Sequence, residues 1–135
     1  MPDIYLLEAR IEENFVKYGN NTGHINIGVN AELAHAFSHW CYEASAGRLM
    51  VTDLQGANTG TAFELTDPAI HCPVDLRRFG GTNLGRDGIM AFFRTHTCGA
   101  TCSALSLTPA KPASGSMEDA ESSLVSYLDS LAIYD

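Results

Sequence analysis

An α+β fold in a single domain is what this sequence predicts, on three observations. The chain has 135 residues, 45% of them hydrophobic, enough for one core and too few for two domains of ordinary size. Three short runs, "IYLLE" at 4–8, "HINIGV" at 24–29 and "GRLMVTDLQG" at 47–56, read as strands from their apolar, partly β-favouring residues,. Two longer stretches, near 30–43 and 84–97, repeat apolar residues at helical spacing,.

Taken in order, residues 4–8 predict a short strand apolar enough to be buried on both faces. "YGNNTG", 18–23, is dense in turn formers and separates it from the strand at 24–29,. Asn30 stands where an N-cap is wanted. Leu33, Phe37, Trp40 and Cys41 then recur at helical spacing, which predicts a helix to about Glu43 with that face in the core. The strand at 47–56 ends in polar residues and a glycine, and a flexible connection, "ANTGTAFE", leads on to "LTDPAIH". After "RRFGGTNLG" the run 84–97 predicts a second helix with Ile89, Phe92, Phe93 and His96 near one face, and "RTHTCGATC", 94–102, lies at its end and just beyond. Residues 1–106 form the domain. Residues 107–117 are rich in Pro, Ser and Ala and read as a linker,. Residues 118–135 place Leu124, Leu128 and Leu131 at spacings of four and three, the mark of an amphipathic helix that docks on the domain or on a partner,.

Composition removes several function classes. Sixteen acidic residues against eight basic ones, net charge −8, leave no basic stripe to neutralise a phosphate backbone, so no nucleic-acid partner is expected. No basic segment leads into a long apolar one at the start, and no apolar run approaches the 18 or so residues of a membrane span,. A soluble, cytoplasmic protein without a membrane partner is expected. Its four cysteines, Cys41, Cys72, Cys98 and Cys102, are too few and too scattered for a disulfide scaffold. In a reducing compartment they point to metal or catalysis.

Five features carry chemistry. In "TDLQG", a continuous strand puts Asp53 and Gln55 on one face, because side chains alternate with period two. Their oxygens suit a hard cation such as Mg²⁺, or form a polar strand end facing solvent. In "LTDP", the proline restricts Asp67 to extended backbone values, and a fixed aspartate beside a metal orients or deprotonates an attacking hydroxyl; an Asx turn is the plainer role. "FGGTNLG" offers backbone N–H groups from Gly80, Gly81 and Gly85 to a phosphate or a peptide backbone, and it lacks the ending of a Walker loop. Lys17 is one of only two lysines, either solvated surface or a point charge for phosphate. In the segment 94–102, His96, Cys98 and Cys102 favour Zn²⁺, with a fourth ligand from elsewhere. His35 and His39 both qualify, and spacing does not choose between them. The alternative is two buried thiols and a surface histidine.

These pieces in this order resemble the alpha-type protein kinases, an atypical serine/threonine kinase family. The resemblance rests on "YLLEARIEENFVKYGNNTG", "AFSHWCYEASAGRLMVTDLQG", "LTDPAIH" and "FGGTNLGRDGIMAFFRTHTCGATC", covering residues 5 to about 106. It implies that Glu8 lies at the interlobe hinge against the adenine and that Lys17 contacts ATP phosphates. It implies that Asp53 and Gln55 serve Mg²⁺ and phosphate, and that Asp67 is a metal ligand and the base for the substrate hydroxyl. The segment Gly80, Gly81, Thr82, Asn83 and Gly85 matches the family's glycine-rich loop, linked to activation and peptide binding. The resemblance also assigns the fourth zinc ligand to His39, joining His96, Cys98 and Cys102 in a structural site.

The implied fold is the C-terminal lobe of an alpha-kinase domain with a structural zinc site and the N-lobe largely absent. The implied function is transfer of the ATP γ-phosphate to protein Ser/Thr hydroxyls, with Mg²⁺ and ATP, on a protein substrate. The family's N-terminal lobe has no counterpart before "MPDIYLLE", so a missing lobe or a partner chain is expected to complete the cleft. Gly19 stands where the family usually has asparagine. The other reading is a zinc-stapled, non-catalytic binding or regulatory module.

Overall fold

One long antiparallel hairpin, broken at its middle, organises the strands. The computed structural model describes residues 2–11, 14–28, 30–112 and 115–131. Within them the order is β1 (Val16–Lys17), α1 (Ala31–Ala44), β2 (Met50–Thr52), β3 (Gln55–Asn58), β4 (Phe63–Leu65), β5 (Ala69–His71), α2 (Gly85–Thr95), α3 (Ala100–Ala104) and α4 (Met117–Leu131). Strand β3 pairs with β1 on one side and β4 on the other, while β2 pairs only with β5, all antiparallel. The register runs Thr52 opposite Ala69 and Gly56 opposite Leu65. It is therefore the same on both sides of the break, with no residue inserted. Asp53, Leu54 and Gln55 stand level with Pro68, Asp67 and Thr66, and the Thr66 N–H still donates to the Gln55 carbonyl at 3.0 Å. Pro68 has no N–H for the ladder, which opens the pairing beside Asp53.

Helix α1 packs on β2 and α3, and α2 on α4 and β5. The main core gathers Tyr42 of α1, Met50 of β2, Ile89 and Phe93 of α2, and Leu124 and Leu128 of α4. Tyr18, Ala31, Ala34 and Leu54 form a smaller cluster at the other end of α1. Helix α4 is thus part of the core, with Leu124 0% and Leu128 1% exposed. Arg94 and Glu121 tie its outer face to α2 through paired bonds of 2.6 and 3.1 Å.

Several expectations need correction. "IYLLE" forms no strand: residues 2–10 are exposed and irregular, with Leu6 96% exposed, because among the described residues no strand pairs with them. The run 24–29 keeps one isolated bridge, Ile25 to Gly19, and Val29 lies outside the described residues. Strand 47–56 is two strands, and "ANTGTAFE" is a β-hairpin, closed where the Thr59 N–H donates to the Ala62 carbonyl at 2.8 Å.

On α1 the expected core face is the outer one: Leu33, Phe37 and Trp40 are exposed and Cys41 is half-buried. The buried face carries Ala31, Ala34, His35, Ala36, Ser38, His39 and Tyr42. Small residues there let β2 and α3 approach closely, and the histidines find polar partners, so helical periodicity of the large apolar residues points the wrong way. Asn30 does occupy the N-cap position, in a left-handed conformation (φ 64°) and without a side-chain cap bond.

The segment after 106 is also no free spacer. Leu107 and Ala110 are buried, the Thr108 N–H donates to Glu43 Oε1 at 2.7 Å, and Lys111 Nζ donates to the Arg94 carbonyl at 2.7 Å. Residues 113–114 and 132–135 of the expected linker and tail lie outside the described residues. Among the described residues no helix is long and apolar enough to cross a membrane.

Replacing Leu128 by alanine removes a fully buried side chain from this core and is expected to cost about 2–5 kcal/mol. Urea unfolding measures it; an unchanged midpoint would mean that α4 is not docked.

Candidate active site and metal centre

The break in the hairpin creates the first site. Asp53 and Asp67 both adopt left-handed backbone, φ 55° and 53°, a conformation aspartate tolerates better than most residues. The expectation that Asp53 and Gln55 share one strand face, and that Asp67 is extended, is corrected here. The pairing opens over these levels, and Asp67 is left-handed there rather than extended before Pro68. Gly56 follows at φ 149°, where any Cβ would run into the Glu64 carbonyl, so the glycine of "DLQG" is sterically required.

Lys17 and Gln55 are register partners between β1 and β3, and this delivers the Lys17 ammonium to Asp53, Nζ to Oδ1 3.0 Å. The two atoms are close enough for an ion pair but off the line a hydrogen bond requires. That Oδ1 is buried and has no hydrogen-bond partner. Gln55 Nε2 donates to the Asp53 carbonyl at 3.3 Å, which holds the amide beside the step. Glu8 accepts from the Thr66 hydroxyl, so the extended N-terminal segment touches the break next to Asp67, itself exposed. The structure thus links Asp53 to Lys17 and Gln55, and Glu8 to the Thr66–Asp67 turn.

The glycine loop is held from inside by Asn83. This buried side chain accepts from the Cys72 and Gly85 N–H groups (2.8 and 2.9 Å) and donates to the Asp75 and Arg78 carbonyls (3.1 and 2.9 Å). Its role is to shape the loop. Gly80 and Gly81 face open space, and the Thr82 carbonyl accepts from Asn21 Nδ2 at 2.9 Å. Gly85 opens α2 at φ 58°. One contributor has no sequence signal of its own: His71, fully buried on β5, accepts from the Leu84 N–H through Nδ1 at 3.0 Å and so fixes the start of α2. Gly88 is where its ring lies, since a Cβ there would clash with it.

The second site closes α1 onto the turn between α2 and α3. His96 ends α2 in extended backbone, and its N–H still donates to the Phe92 carbonyl at 2.9 Å. Cys102 sits in α3, which Glu32 of α1 clamps by accepting from the Thr101 N–H and hydroxyl, each at 2.7 Å. His39 Nδ1 and His96 Nε2 stand 3.5 to 3.7 Å from the thiols of Cys98 and Cys102, and the four donor atoms lie within 4.8 Å of one another. Tetrahedral zinc with bonds of about 2.3 Å to sulfur and 2.0 Å to nitrogen sets sulfur–nitrogen distances of about 3.6 Å, so the donors fit that ion. His35 is not among them: its Nε2 faces the Asn26 carbonyl at 2.8 Å.

Burial pulls His96 down to about 3, helped by neighbouring His39, and burial also lowers His39. Burial pushes the Cys98 thiol up to about 12, helped by Cys102, and raises Cys102 as well. Facing only protons, the pocket holds neutral rings and protonated thiols; a divalent cation reverses this for the thiols.

A family model described as the alpha-kinase family matches residues 2–102. This chain belongs to the alpha-kinase family. It is 40% identical over 107 residues to alpha-protein kinase vwkA of Dictyostelium discoideum, covering 79% of this chain and 17% of that protein. It is 36% identical over 106 residues to human eukaryotic elongation factor 2 kinase, covering 78% of this chain and 14% of that protein. An alpha kinase structure from Entamoeba histolytica superposes with a TM-score of 0.69 at 42% identity, over 74% of this chain and 38% of that one. The alpha-kinase domain of myosin heavy chain kinase A, solved in complex with ADP, gives 0.65 at 37% identity, over 73% and 38%. The chain therefore spans under a fifth of these curated alpha-kinase relatives and under two fifths of the solved alpha-kinase domains.

In this alpha-kinase chain two outcomes follow from the geometry. Gly88→Ala is expected to lower the unfolding midpoint because it displaces His71, whereas Gly81→Ala, with open space around it, leaves the midpoint unchanged. A Gly88→Ala protein as stable as the parent would contradict the packing. In metal-free protein, burial holds His39, His71 and His96 below the ordinary 6.5. The unfolded chain then binds protons that the fold refuses, so this contribution is complete above about pH 6.5 and is lost as pH falls below it. Urea midpoints between pH 7 and 5 are expected to drop.

Proposed function

We propose that this chain is the C-terminal lobe of an alpha-type protein serine/threonine kinase, working in the cytoplasm and transferring the ATP γ-phosphate to protein Ser/Thr hydroxyls. The observation that supports the reading is the broken hairpin: Asp53 and Asp67 stand at adjacent levels of its break, Gln55 follows one level on, and β1 brings Lys17 to within 3.0 Å of Asp53. The buried Oδ1 of Asp53 has no hydrogen-bond partner and faces the Lys17 ammonium at 3.0 Å, and an all-oxygen donor set suits Mg²⁺. Asp53, Gln55 and Asp67 would hold that ion, which neutralises charge on the phosphates. Lys17 adds a mobile positive charge for phosphate, Glu8 faces the adenine, and Asp67, exposed at the turn, takes the proton of the substrate hydroxyl. The open Gly80–Gly81 loop offers backbone to a peptide. Phosphoryl transfer asks a protein mainly for positioning and charge neutralisation, and this kit is assembled to supply both.

The His39, His96, Cys98 and Cys102 set is a structural zinc site in this reading. Four protein donors leave no open position, so its contribution is folding energy.

Phosphate transfer from Mg²⁺-ATP to a serine/threonine protein substrate, measured beside Asp67→Ala, tests the reading. Transfer by the chain is expected to be weak when no second lobe completes the cleft, and the substitution is expected to lower it about 10²-fold or more. Transfer indifferent to Asp67→Ala would contradict the assignment. Neither transfer nor ATP binding would favour a zinc-stapled, non-catalytic module.

A further inference from the structure

Helix α4 lies outside the residues 2–102 that match the family, yet it reaches the metal centre. His39 presents Nδ1 to the two thiols, so its other nitrogen, Nε2, carries the proton and needs an acceptor. It finds Tyr127 Oη at 2.9 Å. The Tyr127 hydroxyl in turn donates to Glu43 Oε1 at 3.0 Å, and the Thr108 N–H donates to the same carboxylate oxygen at 2.7 Å. Glu43 sits one turn along α1 from His39, its Oε1 3.5 Å from Nε2. Every donor and acceptor in this row points one way, from the imidazole through the phenol to the carboxylate. The His39 ring is held on its sides by Phe93 and Tyr127, both edge-on, with centroids 5.0 and 6.0 Å away.

From this geometry we propose that Tyr127 and Glu43 are positioning residues for the metal ligand His39, making the C-terminal helix a working part of the zinc centre. The row fixes the tautomer in which Nδ1 keeps its lone pair for the metal, holds the ring plane, and sends the negative character of Glu43 toward the imidazole. Partners of this kind raise ligand basicity and are typically worth 10–100-fold in metal affinity. The same row runs outward through Thr108 into the segment joining the lobe to α4. Metal occupancy and tail docking are therefore coupled: each holds the other in place.

The inference rests on the proposed zinc site, and one experiment separates the two. Zinc affinity of the full chain is measured by competition with a chromophoric chelator for wild type, Tyr127→Phe and Tyr42→Phe. Tyr42 shares the aromatic core, with its ring 5.8 Å from that of Tyr127, and no hydrogen bond joins its hydroxyl to His39. Tyr127→Phe keeps the ring and removes one oxygen; it is expected to bind zinc about 10–100-fold more weakly, with Tyr42→Phe unchanged. In the Co²⁺-substituted protein the visible ligand-field bands are expected to shift in Tyr127→Phe only, a readout that packing alone does not move. Should Tyr127→Phe unfold, Glu43→Gln removes the charge at the far end of the row and leaves α4 packed, and its zinc affinity is expected to fall as well. Wild-type affinity and an unchanged Co²⁺ spectrum in these variants would overturn the role of Tyr127 and Glu43 while leaving the zinc site standing. A wild-type chain that binds neither zinc nor cobalt would overturn the zinc site, and this inference with it.

Discussion

His39 meeting His96, Cys98 and Cys102 is the junction on which the helical half of the chain depends. It joins the middle of α1 to the turn between α2 and α3, segments about sixty residues apart in sequence. All four side chains are withdrawn from water wholly or in part, and burial makes every one of them unfavourable to charge. Two thiols and two imidazoles packed together with protons alone gain little from one another. A divalent cation turns the same packing into four strong bonds, and the free energy of binding then becomes free energy of folding. The rest of that region is arranged around the junction: Glu32 clamps α3, Phe93 and Tyr127 wall in the His39 ring, and Leu107 packs beside Cys102.

The hairpin half depends on a different device. Two aspartates at adjacent levels of a hairpin, both left-handed, with a proline opposite one of them and an obligatory glycine two residues beyond the break, convert a regular ladder into a fixed step. The strands on either side keep their register, so the step cannot slide. Asp53 and Asp67 lie in the gap between two paired stretches that fix it from both sides. Connection between the two halves runs through short elements: β2 lies against α1, β5 against α2, and His71 hydrogen-bonds the first turn of α2.

Much of this was legible in the sequence, and the rest was hidden for identifiable reasons. The helices near 31–44, 85–95 and 117–131 announced themselves by periodicity, the first also by Asn30 at its start. The sequence order of Asp53, Gln55, Asp67 and the His/Cys segment carried the family resemblance. The break between β2 and β3 was not legible, because a left-handed aspartate leaves no mark in composition and "GRLMVTDLQG" reads as one strand. The buried face of α1 is not legible from its large apolar residues, since Leu33, Phe37 and Trp40 face outward while alanines, Ser38, two histidines and Tyr42 face inward. Spacing alone did not separate His39 from His35, one turn apart; the resemblance pointed to His39, and the structure sets it beside His96, Cys98 and Cys102 while His35 faces the Asn26 carbonyl. The contribution of Tyr127 was invisible for the same reason, as it lies 88 residues from its partner.

The central claim, that the His/Cys junction is a closed zinc site holding the lobe together, is tested most directly by zinc-edge X-ray absorption on purified protein. A tetrahedral shell of two sulfurs at about 2.3 Å and two nitrogens at about 2.0 Å is expected, with one zinc per chain. A shell of light atoms only, or a folded protein carrying no zinc, would contradict the account.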